Sequence, residues 1–142
     1  MNKADDFTLL DQDGKSFTLS ENLGKKILLV FYPKDDSLVC TKQLCSYNNN
    51  FERFLEKGIQ VVGISTDKIT SHKSFHSKHN FKFPILSDEE KEVSKKYNAL
   101  NFLGMSQRKL VLISEDGFII NENSVNPLFY KGTDFILNNL IK

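Results

Sequence analysis

The sequence predicts an α/β domain: a mixed central sheet flanked by helices, with a β-hairpin at its N-terminal end. Three observations predict it. Two short apolar runs, residues 27–32 and 59–64, enclose a helical repeat, and a strand–helix–strand unit of that kind needs a parallel, right-handed crossover. Asp-Gly turns between alternating segments occur near both ends, at Asp13-Gly14 and Asp116-Gly117, and mark antiparallel hairpins. The full order, β-β-β-α-β-α-(β)-α-β-β-α, therefore joins a parallel half to an antiparallel half in one sheet.

Each element has its own warrant. Phe7 to Leu10 and Ser16 to Leu19 alternate around Asp13-Gly14 and form the first hairpin, an appendage to the main sheet. Ile27-Leu28-Leu29-Val30-Phe31-Tyr32 is apolar at every position, as a central strand covered on both faces should be. A helix is predicted over 40–57, with Leu44, Tyr47, Phe51, Phe54 and Leu55 at helical spacing and Gly58 closing it. Ile59 to Ile64 is the next buried strand. A second helix is predicted over 70–80, a short extended segment over 81–86, and a third helix starting at a Ser87-Asp88-Glu89-Glu90 cap and ending near Tyr97. Residues 109–113 and 118–121 pair around Glu115-Asp116-Gly117. Gly132-Thr133-Asp134 starts a terminal helix carrying Phe135, Ile136, Leu140 and Ile141.

At 142 residues the chain is expected to be one domain over 1–142, large enough to bury about two-thirds of its unfolded surface. Nineteen Lys and Arg against 18 Asp and Glu leave a formal charge of +1, which offers no electrostatic case for nucleic acid or an acidic membrane. No apolar run resembles a signal peptide or a membrane span, so the cytoplasm is the expected compartment. There a pair of cysteines points to catalysis or metal binding before a structural bridge.

The stretch FYPKDDSLVCTKQLC, from Phe31, organises the functional reading. A strand ends at Pro33, a polar loop follows, and a helix begins close to Cys40. The unpaired N–H groups and dipole of a helix start favour a thiolate, which makes Cys40 a candidate nucleophile, although a cysteine can also be an inert core residue. Cys45 follows five residues later. In an intact helix that spacing separates the Cα atoms by roughly 8.5 Å, beyond the ~7 Å that a disulfide tolerates. A bond between them requires the first turn to unwind. Cys45 can equally be read as plain core.

These residues resemble a known family. Pro33, Ser37 and Cys40 match the peroxiredoxin pattern Pro-xxx-Thr/Ser-xx-Cys, and the FYPKD and CTKQLC segments are similar to the peroxiredoxin Q, or bacterioferritin-comigratory-protein, subfamily. So are Gly63-Ile64-Ser65-Thr66-Asp67, the SHKSF segment from Ser71, Leu86-Ser87-Asp88, and Arg108 before its strand with the trailing Asp116-Gly117. The likeness runs from about Ala4 to the C-terminus. It implies a thioredoxin-like fold of the peroxiredoxin type and reduction of hydrogen peroxide and organic hydroperoxides. It also implies that Cys40 is peroxidatic, that Cys45 resolves its sulfenic acid as an intramolecular disulfide, and that Pro33, Ser37 and Arg108 complete the pocket. Thioredoxin or a similar dithiol is the implied reductant, and a monomer is expected. The chemistry calls for no metal and no organic cofactor: displacement on an O–O bond needs a thiolate, a polarised peroxide and donors for the departing oxygen.

The chain departs from the subfamily in places. Leu38-Val39 stands where relatives commonly have Pro-Gly, Asn48 where Arg is frequent, and the segment before Arg108 is short. Two rivals remain: a thiol–disulfide oxidoreductase on the same fold, whose cysteines are normally two residues apart, and a non-catalytic interaction module. His72, His76 and His79 share a helical face and are expected to be solvated, because the gap from Cys45 to His72 is too long for a zinc finger. Lys34-Asp35-Asp36 is expected to be a solvated loop and the phenylalanines core.

Overall fold

The computed structural model describes residues 2–125 and 130–140 of the chain. Seven strands form one mixed sheet: β1 (Thr8–Asp11), β2 (Ser16–Thr18), β3 (Lys26–Phe31), β4 (Ile59–Ser65), β5 (Ile85–Ser87), β6 (Arg108–Ile113) and β7 (Ile119–Val125), in the order β2-β1-β5-β4-β3-β6-β7. The β3, β4 and β5 strands are parallel, whereas β6 runs antiparallel to β3 and β7 antiparallel to β6. The N-terminal hairpin extends the sheet, since β1 pairs antiparallel with β5 through Leu10 and Ser87.

The central strands are apolar throughout because each side of the sheet has its own core. Along β3, Leu28 and Val30 face one cluster while Ile27, Leu29 and Phe31 face the other, the period-two alternation of a strand. On β6, Leu110 and Leu112 take the first face and Val111 and Ile113 the second. Gly63 on β4 leaves room on the first face: a Cβ there would come 2.9 Å from Ile85 Cγ2.

The helices are α1 (Leu38–Asn49), α2 (Phe51–Glu56), α3 (Ile69–His79), α4 (Glu92–Lys96) and α5 (Thr133–Phe135), the last continuing into a π turn over Ile136–Leu140. Several boundaries differ from expectation. The helix predicted over 40–57 starts earlier and divides at Asn50, whose backbone leaves the helical region at φ −110° and ψ 20° while its side chain donates to Ser46 O. Short polar side chains that bond their own backbone compete with helix continuation, and here that competition wins. The third helix is shorter than predicted because Ser87 remains in β5; Asp88 still serves its start by accepting from the N–H groups of Val93 and Ser94. The extended segment narrows to β5. In the terminal helix, Phe135, Ile136 and Leu140 are as placed, while Ile141 lies outside the described residues. Most phenylalanines are buried, but Phe102 is 95% exposed on the loop before β6. No helix among the described residues is long and apolar enough to cross a membrane.

Candidate active site

The chain leaves β3 at Phe31, turns through Pro33, and enters α1 at Leu38. Ser37 is the N-cap: its backbone is extended, its Oγ accepts from Cys40 N at 3.4 Å and donates to Lys34 O at 3.1 Å. Such a cap satisfies one of the helix's orphan donors and fixes the first turn. Cys40 therefore stands in the first turn of a wound helix, fully buried and with a free thiol.

Arg108, the first residue of β6, comes to it from the neighbouring strand. Its Nη1 donates to Cys40 Sγ at 3.3 Å and to Gln43 Oε1 at 2.5 Å, and the side chain is 1% exposed. A buried guanidinium against a sulfur favours the thiolate and presents further donors to any oxygen that approaches. Gln43 in turn donates through Nε2 to Tyr47 Oη at 3.0 Å, and Tyr47 donates to Lys131 O. Burial holds the Tyr47 phenol well above its ordinary range, so it remains a donor. Cys40, Gln43, Leu44 and Tyr47 form the buried face of α1, at the i, i+3, i+4, i+7 spacing of a helix. Gln43 was not singled out from the sequence, although a polar residue on that face was its signal.

The expected solvated loop at Asp35 is corrected by the structure. Asp35 is 4% exposed and accepts from Tyr32 Oη at 2.6 Å and from Ser71 Oγ at 2.8 Å. Its carboxylate also meets Nδ1 of His72 at 2.7 Å, while Nε2 of His72 donates to Leu86 O at 3.0 Å. Asp67 joins by accepting from Asp35 N and Ser65 Oγ through one oxygen. The carboxylates of Asp35 and Asp67 and the His72 ring lie within 4.8 Å of one another, and hydrogen bonds among them tie the active loop to α3 and to the ends of β4 and β5. The expected solvated histidine face is corrected too: His72 is wholly buried, His76 Nε2 donates to Phe83 O at 3.0 Å, and His79 meets Cys45. Helical spacing placed the three on one face, and that face turns inward because α3 packs over β5.

Of the residues singled out from the sequence, Cys40, Arg108 and Ser37 come together, and half-buried Pro33 opens the loop beside them. Cys45 is held apart. Both cysteines lie within the continuous α1, both thiols are free, and Cys45 Sγ meets His79 Nδ1 at 3.6 Å. Asn48, where relatives often carry Arg, accepts from Lys82 N and donates to Asn80 O, bracing α1 against the end of α3.

The AhpC/TSA family model matches residues 1–121. The chain belongs to that family. It is 36% identical over 123 residues to a peroxiredoxin bcp of Coxiella burnetii, covering 87% of this chain and 82% of the other. It is 38% identical over 125 residues to a chloroplastic peroxiredoxin Q of Triticum aestivum, covering 85% of this chain and 58% of the wheat protein. Among solved structures, peroxidoxin BcpB from Mycobacterium tuberculosis superposes with a TM-score of 0.85 at 28% identity, over 96% of this chain and 90% of that one. The chain spans less than two-thirds of the length of the curated plant relatives it matches. With these neighbours the fold is the thioredoxin-like fold of peroxiredoxins, and the relatives are peroxiredoxin Q and bcp proteins, as the motifs implied.

Proposed function

We propose that this chain, a single domain over 1–142, is a thiol peroxidase that reduces hydrogen peroxide and organic hydroperoxides at Cys40. The observation that carries the reading is the buried contact from Arg108 Nη1 to Cys40 Sγ, at the start of a helix capped by Ser37. The Cys40 thiolate attacks one peroxide oxygen, the O–O bond breaks, and the departing oxygen takes a proton as water or alcohol. Arg108 stabilises the thiolate before attack and the departing oxygen during it. Ser37 holds the first turn and offers its hydroxyl to the peroxide, and Pro33 shields the sulfur while donating nothing.

The Cys40 sulfenic acid is then resolved by Cys45, and a dithiol of the thioredoxin type reduces the disulfide. Because α1 is wound through both cysteines, disulfide formation requires its first turn to open. Resolution within one chain supports action as a monomer, and a cysteine pair used in redox turnover suits a reducing compartment such as the cytoplasm. The same chain should reduce peroxide with thioredoxin, thioredoxin reductase and NADPH at a rate first order in enzyme, and Cys40→Ser should lose all of it. Rapid reduction of insulin disulfides without peroxide turnover would instead assign it to the thiol–disulfide oxidoreductases.

A further inference from the structure

Cys45 has a partner that the peroxide chemistry at Cys40 does not use. Its Sγ lies 3.6 Å from Nδ1 of His79, the last residue of α3. Burial pushes the Cys45 thiol up from its ordinary value, so the resting group is the neutral thiol. A thiol is a donor and an imidazole nitrogen a good acceptor, which aims the S–H proton at Nδ1. The ring is fixed between aromatics, edge-on to Phe75 with centroids 5.2 Å apart and tilted against Phe81 at 5.4 Å. Its far nitrogen, Nε2, is buried with no hydrogen-bond partner among the described residues. Leaving a buried polar atom unpaired is costly, a cost that a phenylalanine filling the same space would avoid.

We infer that His79 is the general base of the resolving step, accepting the Cys45 proton as Cys45 attacks the oxidised Cys40. The inference rests on the reading of Cys40 as peroxidatic and Cys45 as resolving. The Cys45 sulfur attacks the sulfur of the Cys40 sulfenic acid, the S–S bond forms, and the S–O bond breaks with its electron pair leaving as hydroxide. The thiol proton passes to Nδ1 and then to the hydroxide, giving water. Cys45 sulfur is oxidised and the sulfenic sulfur reduced, so no further oxidant enters. Cys45 lies beyond the first turn of α1 that holds Cys40, so opening that turn does not require its contact with His79 to break.

Nearby charges are occupied elsewhere. His76 binds Phe83 O, Lys78 pairs with Asp36 at 3.4 Å, and Lys82 lies over the Phe51 ring at 5.9 Å. Among the described residues no carboxylate pairs with His79.

The test is a peroxide pulse on the reduced full chain, with quenched samples read by mass for sulfenic acid and disulfide, on wild type, His79→Gln and His79→Ala. Sulfenic acid formation reports that fold and Cys40 are intact. Disulfide formation should slow by about tenfold or more at neutral pH in both variants, climb with pH as hydroxide replaces the base, and recover in His79→Ala when imidazole is added. Disulfide formation at the wild-type rate in both variants overturns the inference. So does a slowing that is equal at every pH and not rescued by imidazole, which would mark a purely structural role. Failure of the wild type to form any sulfenic acid would overturn the peroxidase reading itself, and this inference with it.

Discussion

At the scale of residues, Arg108 is the group that the proposed chemistry uses, and Asp35 with His72 holds the loop before α1 in place. Arg108→Lys keeps the charge but shortens the side chain and removes the Nη1 that donates to both Cys40 and Gln43. The second-order rate with hydrogen peroxide should fall by about a hundredfold, the usual scale for removing one donor to a developing oxyanion, while the fold survives. Stopped-flow peroxide consumption checks this. His72→Leu leaves the buried Asp35 carboxylate without its imidazole partner, and unpairing a buried charge costs about 3–5 kcal/mol. Urea unfolding should show that loss, and a midpoint unchanged from wild type would mean that the Asp35 network contributes little. The pair was not readable in the sequence because its members are 37 residues apart and each sits among polar neighbours that look solvated. Gln43 and Ser37 were more accessible to reading, since a polar residue on an apolar helical face and a Ser three residues before a helical cysteine are local signals.

At the scale of elements, the proposed resolving step requires the first turn of α1 to open. Val39 is its second residue and stands where relatives commonly have Gly, so the wound state is stiffer here. Val39→Gly lowers the helical preference of that turn by up to ~1 kcal/mol. Disulfide formation after a peroxide pulse should then be about twofold to fivefold faster, followed by quenched-flow thiol trapping because the chain has no tryptophan. An unchanged or slower step would contradict this. The strands were legible because unbroken apolar runs have few other uses, and the Asp-Gly turns fixed both hairpins in place. Helix ends were less so. The division at Asn50 depends on one side chain bonding Ser46 O, and the Asp88 cap on a turn that residues 88–91 make just after β5.

At the scale of the molecule, two cores on opposite faces of one sheet bury Tyr32, Tyr47 and Tyr97. Burial, helped by the Asp35 charge at Tyr32 and by Asp5 and Asp6 at Tyr97, holds all three phenols above their ordinary value of 10.0. Unfolded tyrosines ionise near that value and folded ones do not. The stability they contribute is therefore complete below about pH 10 and lost as pH rises from there toward the folded values. Tyrosinate absorbance should appear together with loss of far-ultraviolet circular dichroism; separate, gradual titration in a folded protein would contradict the packing described. The thioredoxin-like architecture was open to sequence reading, but the partnership of Cys45 with His79 was not, because it depends on how α3 lies against α1. The central claim, a buried nucleophile at Cys40 resolved within the same chain, is tested most directly by intact mass and free-thiol count after one equivalent of hydrogen peroxide. The wild type should rapidly lose two hydrogens and both thiols, Cys45→Ser should retain an oxygen, and Cys40→Ser should show no fast reaction. A wild type that reacts no faster than free cysteine, or that keeps both thiols, would contradict it.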